Sequence, residues 1–406
     1  MTLPLAILGG FYFVQISDIH IGGFTPVHVP GKTILDLAAE DIRKLGAPIE
    51  FVLATGDLTN SSKDEEFERY KRGASSFGVP VYNCIGRHDC LAPDSPSLPL
   101  FLFGKTPWRR HLGPTYYSFD HKGVHFVVLD PYIRDHSGRV TLKIPPKQMD
   151  WLKTDLERAK GKPIIVAMHP PLWRDPKTGK FFEPWDQKSA SELLSLLRGH
   201  KVIACLSGYF HMSDEWKVDG IRVITCGALA GYRWRGKPFL TWPVYRVFRY
   251  QGERLWSFTR ELFNDFHVRV VRVGDTAIVL PRPTTRIPTV KGPTRIVVEA
   301  YSRKGRIKSV RFKVDEGPWR PLSLALRDLW DEWEGTLVPG EAMSGRHTLK
   351  VEAVTEDGES ARDEIYIEIK GLSLASKGRK PRRSSPPRLI PSPSLGPPAP
   401  PSSLPS

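Results

Sequence analysis

The sequence predicts an α/β domain built on mixed sheet, followed by an all-β sandwich and a disordered tail. Three observations predict it. Apolar strand-like runs at 11–16, 50–54, 79–85, 124–129, 163–168 and 201–206 alternate with helical patterns near 33–45, 63–77, 146–160 and 188–199. That interleaving is the pattern of an α/β domain. From residue 295 the pattern becomes strict period-two alternation broken by turn signals, as in a small antiparallel sandwich. Residues 371–406 are rich in Pro and Ser and nearly lack large apolar side chains, so they cannot bury enough surface to offset their ordering entropy.

Taken in order, residues 1–275 form the first domain, with 213–273 reading as a strand meander. Pro281, Pro283, Pro288 and Pro293 mark 276–294 as a linker. Within 295–370 the inward positions are Ile296, Val298 and Ala300, then Val310, Phe312 and Val314, then Leu349, Val351 and Ala353, then Ile365, Ile367 and Ile369. Trp330 and Trp333 read as one core anchor and one edge residue. The set Arg303, Lys304, Arg306, Lys308, Arg311 and Lys313 reads as a basic sheet edge, which discourages strand-to-strand aggregation. The basic tail covers 371–406, and its SPPRLIPSP stretch offers polyproline conformation to a partner.

Composition narrows the function classes. With 40% hydrophobic residues among 406, the chain as a whole is not a disordered protein. No run approaches the ~20 apolar residues of a membrane span. The opening MTLPLAILGG has no basic residue and leads into FYFVQIS, which reads as neither signal peptide nor anchor, so a cytoplasmic location is expected. Cys84, Cys90, Cys205 and Cys226 include no CxxC pair and read as buried thiols. The formal charge is +15, but the tail contributes six basic residues and no acid, leaving +9 elsewhere. Nucleic acid is therefore not expected as a specific partner.

The chemistry sits where strands end. FVQIS runs into Asp18-Ile19-His20, FVLAT into Gly56-Asp57, and VYNCI into Gly86-Arg87-His88-Asp89. IIVAM runs into His169, and VIACLS into Gly208-Tyr209-Phe210-His211. Ligands bind at the carboxyl ends of strands in open α/β sheets, so these side chains should converge on one cleft. Two Asp and several His there make an oxygen and nitrogen donor set suited to divalent Mn, Fe or Zn. A carboxylate can bridge two ions, and Asp57, on a tight Gly-Asp turn, is the bridging candidate.

In order and spacing these segments resemble the calcineurin-like metallophosphoesterase superfamily, whose pattern is D-x-H, G-D, G-N-H-D/E, a lone H, and G-H-x-H. The resemblance covers 11–211 and implies two packed mixed sheets flanked by helices, with metal at the strand ends. It implies that Asp18, His20, Asp57 and His211 hold a first ion, that Asp57 and His169 remain for a second, and that His88, beside Asp89, serves the leaving group. The implied activity is hydrolysis of a phosphate mono- or diester by metal-activated water. The C-terminal stretch is similar to the immunoglobulin- or fibronectin-like modules appended to many hydrolases, and it or the tail offers a surface to a protein partner.

Two positions depart from the pattern. Arg87 replaces Asn and Tyr209 replaces the first His of G-H-x-H, and both absent groups belong to the second ion. Arg has no acceptor and stays protonated. A guanidinium ~4 Å from a divalent ion costs on the order of 8 kcal/mol at an effective dielectric of ~20. Three readings follow: a one-metal hydrolase in which Arg87 replaces the second cation and binds phosphate beside Tyr209; a two-metal enzyme with Arg87 swung out; and a non-catalytic member that binds a phosphate ligand or a protein. Beyond the motif, His28, His111, His121, His125, His136 and His200 read as surface or packing residues. The runs Trp108-Arg109-Arg110-His111 and Tyr232-Arg233-Trp234-Arg235 are candidate substrate-facing loops.

Overall fold

A computed structural model describes residues 10–91, 104–134, 140–175, 177–182, 184–235, 237–279, 287–340 and 343–370. The tail 371–406, residues 280–286 of the Pro-rich stretch, His136 and the side chains of 232–240 lie outside the described residues.

Phe11–Ile16, buried at every position, is the middle of a five-stranded sheet. It pairs in parallel with Ile49–Thr55, which pairs in parallel with Val81–Cys84. On its other side it pairs antiparallel with Val244–Gln251, and Arg254–Glu261 closes that edge. A six-stranded sheet runs in the order Asp214–Val218, Ile221–Thr225, Val202–Ser207, Ile164–Ala167, Val124–Val128 and Tyr117–His121. Both sheets are mixed. Alternation decides how they meet: Phe11, Phe13, Phe51, Leu53, Phe126, Val128, Ile165 and Leu206 point into one shared apolar layer. The opposite positions, such as Val14, Ile16, Val127 and Val166, pack against the helices.

Those helices are Ile34–Arg43, Asp64–Ser75, Pro146–Arg158 and Gln187–Arg198, each within two residues of its sequence-predicted bounds. Thr33 caps the first with a reciprocal bond to Asp36, the local signal that starts a helix there. The stretch expected as a substrate-facing loop at 108–111 is instead part of the helix Thr106–Leu112. Trp108 is fully buried, Arg110 pairs with Asp64, and His111 stacks on Phe67. Pro107 in its first turn and one large apolar anchor suffice for so short a helix.

The C-terminal part comprises two further five-stranded sheets around their own apolar cluster. Phe266–Val273 belongs here, paired with Thr294–Ser302, and not to the five-stranded N-terminal sheet. All the inward positions named above are buried except Val314, which is partly exposed. Trp333, 6% exposed, lies in this cluster. Trp330, 1% exposed, faces the other way into the helix-side core of the N-terminal part, stacked on Phe258 at 5.2 Å. Neither tryptophan is an edge residue. The expected basic edge also dissolves: Ile307–Val314 has neighbours on both sides, and Arg311 and Arg303 are paired with Glu352 and Asp41.

Asp41 is the polar joint between the two parts. Its buried carboxylate accepts from Tyr245 Oη (2.6 Å), from Nε and Nη2 of Arg260 (3.1 Å each), and from Arg303 Nη2 (2.7 Å). A buried carboxylate so fully satisfied is stable in place, and removal of the carboxylate itself would leave the buried Arg260 without its main partner.

Candidate metal centre

The strand-end residues converge. Each motif loop is stitched to the next through main chain: Asp18 N–H donates to Gly56 O (3.0 Å), His20 N–H to Asp57 O (2.9 Å), and Gly208 N–H to His169 O (3.0 Å). Five ligand atoms then close a ring. His20 Nε2 is 3.8 Å from Asp57 Oδ2, which is 3.2 Å from His169 Nε2. His169 Nε2 is 3.7 Å from Asp18 Oδ1, which is 3.2 Å from His211 Nε2. His211 Nε2 returns to His20 Nε2 at 3.4 Å. All five side chains are buried.

Holding them there strains the backbone. Asp18, His20, Asp57, Tyr209 and His211 all have φ between 49° and 70°, the left-handed region that L-residues avoid at a cost of about 1 to 3 kcal/mol each. Such strain persists where the surroundings over-determine it, and its clustering on five site residues is the backbone signature of a functional centre. Glycine supplies the close approaches. A Cβ at Gly86 would run into the backbone nitrogen and Oδ1 of Asp57, and one at Gly208 into Ser17 Oγ.

The donor set fits a cation. Asp18 Oδ1 and His169 Nε2 are buried and have no hydrogen-bond partner among the described residues. His169 Nδ1 donates to Thr55 O at 2.6 Å, so its Nε2 lone pair is aimed at a carboxylate oxygen. Two lone pairs in contact need a positive charge between them. Without an ion a proton takes that place: burial pulls the His169 pKa down, but the Asp57 and Asp18 carboxylates hold it up at about 9. Burial outweighs the carboxylates at His20, whose pKa falls to about 4. Asp57 is held well below the carboxylate range, because His169 and His20 outweigh its burial.

The remaining predicted site residues divide. His88 joins His20 and Asp57 in a further group of convergent ligand atoms. Its backbone N–H donates to Asp57 Oδ1 (2.8 Å), and its Nδ1 donates to Asn60 O (2.8 Å). Asp89 is not in such a group. Its buried carboxylate accepts from the backbone N–H of Leu58 (3.2 Å), Thr59 (2.8 Å) and Gly86 (2.9 Å), and from Thr59 Oγ1 (2.9 Å). It braces the turn that carries Asp57. Arg87 is exposed, and its charge works against the burial that raises the phenol pKa of Tyr209. Tyr209 donates its backbone N–H to Asp18 Oδ2 (3.2 Å) and sets its ring edge-on to His169 at 5.6 Å. Thr55 and Asn60 act through carbonyl oxygens, which leave no signature in a sequence.

Residues 11–208 match the family model described as calcineurin-like phosphoesterase. Its members use divalent metals and include phosphodiesterases and phosphatases. The chain is 26% identical over 219 residues to a probable cyclic nucleotide phosphodiesterase of Rhodococcus erythropolis, covering 52% of this chain and 68% of that one. It is 27% identical over 261 residues to the tartrate-resistant acid phosphatase type 5 of Sus scrofa, covering 56% and 71%. Among solved structures it is similar to purple acid phosphatase PPD1 of yellow lupin seeds, at 13% identity and a TM-score of 0.38, covering 90% of this chain and 55% of that one. No described helix is long and apolar enough to cross a membrane.

Proposed function

We propose that the chain hydrolyses a phosphate ester at a divalent ion held by Asp18, His20, Asp57, His169 and His211. The observation that carries this is the closed ring of five buried ligand atoms, each 3.2–3.8 Å from the next. A divalent ion there supplies Lewis acidity, activating water at neutral pH and neutralising charge on the phosphoryl oxygens. The chain's own residues do the rest. Arg87 offers a guanidinium fork to two phosphate oxygens. His88, its Nδ1–H anchored on the Asn60 carbonyl, presents Nε2 for proton exchange with the leaving group. Asp89 keeps the Gly86 and Asp57 turns in register. Tyr209 and Arg87 stand where a second ion would need neutral or anionic donors, which favours one ion over two. The C-terminal sheets, of immunoglobulin or fibronectin type on this reading, serve as structural support.

The test is hydrolysis of bis(p-nitrophenyl) phosphate, and of the monoester, with added manganese, iron or zinc, beside an Asp57→Asn control. Turnover that the control abolishes supports the reading. No turnover with either ester and any of these ions overturns it in favour of a non-catalytic phosphate- or protein-binding chain.

A further inference from the structure

A second cluster of charge lies in a cavity of about 190 Å³ between the N-terminal strands and the first C-terminal sheet. A water needs only about 10–15 Å³ of such volume, so the cavity has room for a small metabolite. Its arginines and carboxylates balance in number but are unevenly paired. Arg222 Nη2 (2.8 Å) and Arg272 Nη2 (3.0 Å) are both used on Glu215. Arg246 is left with one side-chain bond, from Nη1 to Ser257 Oγ at 2.9 Å. It is only 9% exposed, and its Nε has no partner among the described residues.

Across the cavity, Glu299 and Glu332 are directly opposite one another on paired antiparallel strands. Like charges so placed repel. Glu299 is buried, at 7% exposed. Burial and then Glu332 push its pKa up to about 8, against the pull of Arg246 and Arg269. The fold thus keeps a guanidinium with an unpartnered Nε and two glutamates facing each other on one small cavity, a local cost without a structural return. Charges arranged at such a cost point to a ligand.

We propose that this cavity binds a small zwitterion of the α-amino acid type, whose carboxylate meets Arg246 and whose ammonium meets Glu299 and Glu332. An anion alone would leave the two facing glutamates without a donor, and a cation alone would leave Arg246 Nε unused. Because the cavity spans both parts of the fold, occupancy ties them together and stabilises the whole chain.

The experiment is thermal unfolding of the full chain with alanine, acetate or methylammonium at matched ionic strength. Alanine raises the midpoint by about 2 °C or more at saturation, and the two half-ligands do not. Glu299→Gln abolishes the alanine response and leaves the ligand-free midpoint unchanged or higher. Glu332→Gln, at the less buried partner, carries the test should the first variant fail to fold. Three results overturn the proposal: no alanine shift beyond that of sodium chloride, an equal shift with acetate, or a shift that survives both glutamine variants. The last would place the binding elsewhere, the metal centre included.

Discussion

His169 Nε2 stands 3.2 Å from Asp57 Oδ2 while its Nδ1 lies 2.6 Å from the Thr55 carbonyl. The second contact fixes the first: Nδ1 must carry the proton, so Nε2 offers a lone pair to whatever cation the carboxylates attract. Manganese should therefore raise the thermal midpoint of the wild-type chain and leave that of His169→Ala much less changed. Equal shifts in the two proteins would show that the ion binds elsewhere.

On the proposed reading, Arg87 sets how many ions bind. Arg87→Asn removes a fixed positive charge and supplies a carbonyl oxygen. Elemental analysis of the manganese-loaded variant should give about one more ion per chain than wild type, most clearly when Tyr209→His is added. Unchanged stoichiometry in the double variant would sink the one-ion reading.

Much of this centre is legible in the sequence because its signal is local. A strand that ends in Asp or His announces itself within six residues, and five such ends in one chain imply one cleft. Asp89 reads as part of the chemistry because it follows His88; that it also accepts from the backbone N–H groups of Leu58 and Thr59, some thirty residues away, no spacing encodes. The two tryptophans fail for a related reason. Three positions apart on either side of a strand start, Trp330 and Trp333 carry identical composition and opposite destinations. Period-two alternation assigns only the one inside the strand. The helix at 106–112 is too short for periodicity to register.

The burial of Trp330 against Phe258 changes what removing the C-terminal sheets would do. From sequence alone, an enzyme would be expected to keep its turnover without them. The structure puts Trp330 and Tyr301 inside the N-terminal core and Arg303 on Asp41. A chain ending at 265 should expose Phe258, leave Asp41 without Arg303, and be recovered mainly as aggregate. Trp330→Ala in the full chain should cost about 3 to 5 kcal/mol in urea unfolding. A loss below 1 kcal/mol would mean that the seam contributes little.

Asp41→Ala tests the polar half of the same seam. It leaves Arg260 buried beside a vacated carboxylate, and breaking a buried pair in this way costs about 3 to 5 kcal/mol. Denaturant midpoints measure it, with Tyr245→Phe as the milder control that removes a single bond of about 1 kcal/mol.

Glu215 sets an acid limit on stability. Burial alone would raise its pKa, but Arg222 and then Arg272 and Arg246 bring it down to about 2. The folded value lies below the unfolded carboxylate value, so the ionised form is bound more tightly by the native state. The stabilisation is complete above about pH 4.5 and is lost progressively as pH falls toward 2, to a total of roughly 3 kcal/mol. Wild type should therefore lose stability steeply across that window, and Glu215→Gln should show a shallower slope there. Parallel pH profiles for the two proteins would show that Arg222 and Arg272 find other partners in solution.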